Sequence, residues 1–361
     1  MQIKLEPRAA APGWMKLLSP GLAIALTLSF ALLWFGLLGK PPLAALNAML
    51  IAPVSHFYGI AEIFTRAAPL TLMASGLALC FRANLWNIGA EGQFLMGAVF
   101  SSGLALALGG WNTRWILIPI VLAGCLGGAI WGSIPALLRV KFNTNETLTS
   151  LMLNYVAAAV LNYLVYGPWK NPAAFNFPET ELFSQSATLP ILFSGTRIHL
   201  GVVFGIVAAI VVGLVLSRTL FGFQVRVVGN SLSAAQYSGI SHNQIIWMIF
   251  LVSSALAGLA GACEVTGAIG QLRPSISPDY GYASIVAAFI ARLNPIGVIF
   301  SSLLMALLYI GGETAQITLS IPPAVSGMFQ GTLLLFLLAT DVLLSYRVRW
   351  ISNHREVIPN S

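Results

Sequence analysis

Apolar runs of membrane length, separated by short polar islands, make up most of this chain, and none of them alternates with the period of two that a barrel strand requires. Each run reads as a helix, because inside lipid a helix satisfies its own backbone polar groups. The first runs from Gly21 to Gly39, and the linker after it carries Pro41, Pro42 and Pro53, which rule out one continuous helix. Ala61 to Phe81, Leu85 to Leu108, Trp115 to Leu138 and Leu148 to Tyr166 follow. Gly167 to Arg197 is proline- and aromatic-rich, too long for a free loop unless it lies against something at the membrane surface. His199 to Leu216 and Gln244 to Cys263 are the sixth and seventh runs. Tyr282 to Ile310 is broken by Arg292, Asn294 and Pro295, so it reads as a short eighth span turning into a ninth, and Ala324 to Leu344 is the tenth. The pattern predicts an all-α polytopic fold of about ten transmembrane helices.

Composition agrees with this reading: 57% of the residues are hydrophobic and 8% charged, against about 25% charged in a soluble domain. With ten spans, 12 of the 18 basic residues fall on the side of the two termini and 6 on the other. By the positive-inside rule both termini are cytoplasmic. The expected organisation is a cytoplasmic N-terminal segment (1–20), one transmembrane domain (21–346) and a cytoplasmic tail (347–361). Within the domain, a polar segment over 218–243 faces the cytoplasm and the 167–197 loop lies outside. The charge of +7 then belongs to retained basic loops rather than to a nucleic-acid surface. Cys80, Cys125 and Cys263 lie in or beside separate apolar runs and read as inert packing residues.

The polar stretch Phe221 to His242 carries helix punctuation. Asn230 and Ser231 offer N-cap oxygens, Leu232 to Ser238 lacks Pro and Gly, and Gly239 tolerates the positive φ of a helix end. Such a short helix must be held by packing, and it reads either as a docking surface or as an ordered loop. Three polar islands interrupt the spans. In the first, Arg82 to Gln93, Asn84, Asn87, Glu91 and Gln93 sit among glycines. They either line a polar path or serve structure, the asparagines as caps and Glu91 as a partner of Arg82. In the second, Thr144 is a plausible N-cap of the next span, and Asn154 and Asn162 are placed near one helical face. Asn154 either lines a path or hydrogen-bonds between helices. The third, Glu264 to Tyr282 with Glu313 and Gln316, is assigned to the outer face. No Walker A pattern occurs, His56, His199, His242 and His354 are scattered, and no catalytic constellation, metal-ligand spacing or cofactor motif appears.

Three motifs in order, Asn87-Ile88-Gly89-Ala90-Glu91-Gly92-Gln93, Asn145-Glu146-Thr147-Leu148-Thr149-Ser150-Leu151-Met152-Leu153-Asn154-Tyr155 and Val228-Gly229-Asn230 through Ala234-Ala235-Gln236-Tyr237-Ser238-Gly239-Ile240, resemble permease subunits of bacterial ABC importers of the nucleoside and simple-sugar kind. These are relatives of the ribose and branched-chain amino-acid permeases, and the likeness runs from about Ala61 to Leu344. The resemblance implies a coupling helix at Gly229, Asn230, Ala234, Ala235, Tyr237, Gly239 and Ile240 that docks on a cytoplasmic ABC ATPase, and a path to which Asn84, Asn87, Glu91, Gln93 and Asn154 are candidates. It also implies a second permease, identical or related, an extracytoplasmic binding protein, and a place in the bacterial plasma (inner) membrane. ATP would be used by the partner, and this chain would gate solute without catalysis or a cofactor of its own. The Asn-Ile-Gly-Ala-Glu-Gly-Gln variant of the first island points, by analogy, to nucleoside-like solutes. The alternative is a self-contained, ion-coupled secondary transporter, although Glu91, Glu146, Glu264 and Glu313 fall near predicted span ends.

Overall fold

The computed structural model describes residues 2–7, 13–322 and 324–351. In order the elements are β1 (Gln2–Pro7), α1 (Gly13–Leu37), α2 (Pro42–Leu46), α3 (Phe57–Arg82), α4 (Ala90–Ala107), α5 (Leu117–Phe142) and α6 (Glu146–Tyr166). They continue with α7 (Gly201–Arg218), α8 (Leu220–Asn230), α9 (Leu232–Tyr237), α10 (His242–Cys263), α11 (Tyr280–Ile290), α12 (Pro295–Leu319), α13 (Ala324–Ser345) and β2 (Tyr346–Ile351). Every apolar run expected to span lies largely on a helix, the third, from Leu85, becoming helical only at Ala90. Six helices among the described residues are long and apolar enough to cross a membrane unaided: Phe57–Arg82, Arg114–Phe142, Glu146–Tyr166, Gly201–Arg218, His242–Ile269 and Pro295–Leu319. The breakers act where expected, since Arg292 and Leu293 take positive φ between α11 and α12.

The chain forms two compact units. One comprises residues 1–48 and 315–361. Here α1 packs on α13 through Phe35 stacked on Phe329, with ring centroids 5.7 Å apart, and Phe30 edge-on to Phe336 at 6.3 Å. β1 and β2 pair antiparallel, Gln2 opposite Ile351 and Pro7 opposite Tyr346, so the two ends of the described chain lie side by side. This ribbon departs from the purely helical expectation. Its cause is visible in Gln2–Pro7 and Tyr346–Ile351, which alternate apolar and polar residues as the spans do not. The expected C-terminal tail lies, from residue 352 on, outside the described residues.

The other unit, residues 49–314, is built around α3, buried along almost its whole length between α7, α10 and α11. Beside it α4, α5 and α10 pack backbone to backbone. A Cβ on Gly258 would lie 2.2 Å from the Gly124 carbonyl oxygen and 2.8 Å from the Gly128 Cα. Small residues at a helix crossing allow this approach, which lipid-exposed packing favours. The long 167–197 stretch is pinned, as its length demanded, to the segment after α10: Thr180 N–H donates to Leu272 O at 3.0 Å, Phe183 N–H to Gly270 O at 2.9 Å and Leu189 N–H to Thr266 O at 2.8 Å. His199, placed at the head of the sixth span by the sequence, instead sits in this packed stretch before α7. Burial first, and the Arg197 guanidinium second, push its pKa down to about 4, so it is neutral at neutral pH.

Candidate functional site

After α3, Asn84 takes a left-handed backbone with φ 57°, turning the chain into an irregular stretch that reaches Gly89 before α4 begins. Side-chain amides fix that stretch. Asn87 Nδ2 donates to Gln93 Oε1 at 3.1 Å while Gln93 Nε2 donates back to Asn87 Oδ1 at 3.0 Å, and Asn87 Nδ2 also reaches Ser253 Oγ on α10 at 3.4 Å. From α6, Asn154 Oδ1 accepts from Gly92 N–H at 2.8 Å, and its Nδ2 donates to Ile88 O at 3.0 Å and Tyr282 Oη at 3.2 Å. Ser150 Oγ accepts from Ile88 N–H at 3.2 Å, and the Glu91 carboxylate accepts from Gly281 N–H at 2.6 Å. Asn87, Glu91, Gln93 and Asn154 are all buried and form one knot, whereas Asn84 is exposed and stands apart. In a medium without water each of these bonds replaces an unsatisfied polar group.

Several expectations are corrected here. Gly89, not an asparagine, precedes α4, and Arg82 donates through Nε to Leu293 O at 2.9 Å rather than pairing with Glu91. Asn145, not Thr144, caps α6, its Oδ1 accepting from Thr147 N–H at 2.9 Å and Leu148 N–H at 3.3 Å. Asn162 is exposed although Asn154 is buried, because eight helical steps of about 100° leave the two roughly 80° apart. Gly281 and Tyr282, which help complete the knot, lie at the end of the third polar island; Ser253 on α10 was not singled out by the sequence, and no local pattern marks it.

The polar segment after α7 folds into two helices. Thr219 caps α8, its hydroxyl accepting from Gly222 N–H at 3.1 Å, and Ser231 caps α9, accepting from Ala234 N–H at 3.3 Å. Gly239 ends the motif at φ 72°, as its position predicts. Asn230 is the last residue of α8 and not a cap. Among the expected coupling residues, Ala235 is fully buried, so its methyl belongs to the packing of α9. Tyr237 is 95% exposed and Leu232 44%, which leaves these side chains free to meet another surface. α8 is seated on the end of α3: a Cβ at Gly229 would fall 1.9 Å from the Arg82 carbonyl oxygen and 3.1 Å from the Ala83 Cα. Arg226 donates to Leu216 O, closing α8 onto the end of α7. One small area thus joins α8, the end of α3 and, through Arg82, the α11–α12 turn, five residues from Asn87.

The profile of the family described as branched-chain amino acid transport system / permease component matches residues 59–338. The chain is 32% identical to a glucose ABC transporter permease protein of Haloferax volcanii over 96% of its own length and 94% of the relative's. It is 29% identical to a guanosine ABC transporter permease protein of Bacillus subtilis, with 93% and 95% covered, and 28% identical to a nucleoside ABC transporter permease protein of Lactococcus lactis, with 89% and 90% covered. No solved structure matches.

Proposed function

This chain belongs to the branched-chain amino acid transport system permease family, and from that premise we propose that it is the transmembrane subunit of an ATP-driven importer for nucleosides or related small polar solutes. It is a multi-pass protein of the cell membrane. On this reading α1, α3 to α7 and α10 to α13 all enter the membrane, both termini and the 218–243 segment are cytoplasmic, and 167–197 lies outside. A cytoplasmic ABC ATPase binds α9, a second permease completes the path, and an extracytoplasmic binding protein delivers solute. ATP is hydrolysed by the partner, and this chain converts its movement into gating.

The observation that carries the proposal is the helix pair α8–α9: capped, seated on the end of α3 through Gly229, and presenting an almost wholly exposed Tyr237. Aromatic anchors dominate protein interfaces, and truncating one costs about 2 kcal/mol or more, roughly 30-fold in affinity. Tyr237→Ala is therefore expected to reach the membrane normally and lose the ATPase that co-purifies with the unmodified chain. Stoichiometric ATPase on the variant would remove α9 from the interface. Absence of any ATPase from the unmodified chain in gentle detergent would favour the ion-coupled alternative, to be followed by proton and sodium dependence of uptake.

Orientation has its own test. Gln185 is exposed in the turn Gln185–Ala187, so a cysteine placed there is expected to react with an impermeant thiol reagent on intact cells. Labelling only after lysis would invert the topology.

A further inference from the structure

At the opposite end of α3 from α8 lies a second polar feature, which the knot and the helix pair do not use. Arg66 and Arg82 are sixteen residues apart on α3, about 24 Å along the helix axis. Around Arg66 is a cavity of about 210 Å³ lined by Glu62, Arg66, Arg197, Glu264, Tyr280 and Glu313, among others. Two ion pairs frame it: Arg66 Nη2 to Glu313 Oε1 at 2.7 Å and Arg197 Nη1 to Glu62 Oε2 at 3.4 Å, with Arg197 Nη2 also donating to Ala268 O at 2.6 Å. Glu62 and Glu264 are each 7% exposed, and the second oxygen of Glu62, Oε1, is buried without a hydrogen-bond partner. Tyr280 also lines the cavity, its ring held in T-shaped contacts with Phe94 and Tyr309.

Two larger hollows, of about 500 and 540 Å³, are lined almost wholly by apolar side chains around Ile118 and Phe204 and around Phe100 and Leu164. They match acyl chains rather than a polar solute. The charged cavity differs in kind. It offers carboxylate acceptors and guanidinium donors in a planar fork, the set that matches adjacent hydroxyls on a saturated ring. Its volume is below the range of about 300–1,000 Å³ of drug-sized sites, so it has room for a sugar ring and not for a whole nucleoside.

We propose that this cavity is a solute station that recognises a vicinal diol, the chemistry shared by a free sugar and the ribose of a nucleoside. It rests on the transport reading above and names the part of the solute that is read and the residues that read it.

The test uses the full-length chain in membranes with its partners, carrying Ser275→Cys at the cavity wall in a Cys125→Ser background, and follows the rate of reaction with a small thiol reagent. Millimolar guanosine and millimolar glucose are each expected to slow labelling at least threefold, while 2′,3′-dideoxyguanosine leaves it unchanged. Adding Glu264→Gln should abolish the protection while the ATPase still co-purifies. If that variant fails to reach the membrane, Glu62→Gln carries the same measurement. Equal protection by guanosine and its dideoxy analogue, or none by either, overturns the proposal. Guanosine and glucose uptake, measured on the same cells, separates the two levels: uptake without protection sinks the diol site alone, and absence of uptake of both solutes sinks the transport reading and the site with it.

Discussion

Gly229→Ala should leave the chain in the membrane at close to its normal level and reduce solute uptake at least tenfold. The added methyl would lie 1.9 Å from the carbonyl oxygen of Arg82, with the Ala83 Cα at 3.1 Å, and these are backbone atoms that no side-chain rotation moves away. α8 has to lift off the end of α3. Overpacking of this kind costs about 1–3 kcal/mol, the same size as typical coupling energies between distant sites, so it is enough to erase the coupling. Loss of helix cannot be the cause, because alanine is the better helix former by about 0.8–1.0 kcal/mol. α9 keeps its Ser231 cap and its exposed Tyr237, so the ATPase should still co-purify. Retained ATPase with lost uptake is the signature of a broken lever. Unchanged uptake would show that the contact between Gly229 and Arg82 transmits nothing.

The parts of this architecture that were legible in the sequence are those set by local chemistry. Arg292, Asn294 and Pro295 interrupt an apolar run, and the chain turns there; Ser231 and Gly239 bracket a short helix, and it forms between them. α8 was missed because Gln224, Arg226 and Asn230 interrupt a stretch too short to span, although six of its eleven residues are apolar. Its signal was the stripe Gly222, Val225 and Val228 at helical spacing behind Thr219, and that stripe is the buried face. The polar islands were legible as unusual and not as to purpose. Whether Asn154 meets solute or backbone depends on Ile88, Gly92 and Tyr282, and the last is 128 positions away in the chain. Glu62 was overlooked although a carboxylate inside an apolar run is a signal; its ion-pair partner, Arg197, arrives from a loop and is not legible from local sequence.

That dependence settles what Asn154→Leu is expected to do. The Asn154 side chain is 3% exposed and both of its polar atoms are engaged, one by Gly92 N–H and the other by Ile88 O and Tyr282 Oη. Leucine is close in volume, so the cost lies in stranded backbone groups rather than in a cavity. An unsatisfied buried donor or acceptor costs about 1–3 kcal/mol, so leaving both Gly92 N–H and Ile88 O unpaired removes about 2–6 kcal/mol. Against the total stability of about 5–15 kcal/mol of a typical folded protein, that is a folding defect before it is a transport defect. The variant is expected to disappear from the membrane or to melt at clearly lower temperature in detergent, with the surviving fraction transporting at near-normal rate per molecule. Asn154→Gln, which keeps the amide but moves it by a methylene, should recover part of the protein. A chain present at full level with uptake abolished would instead place Asn154 on the solute path, and the knot would then be a gate. The present geometry favours an anchor: its bonds fix the Ile88–Gly92 backbone at the head of α4, which gives the lever from α8 a rigid body to move.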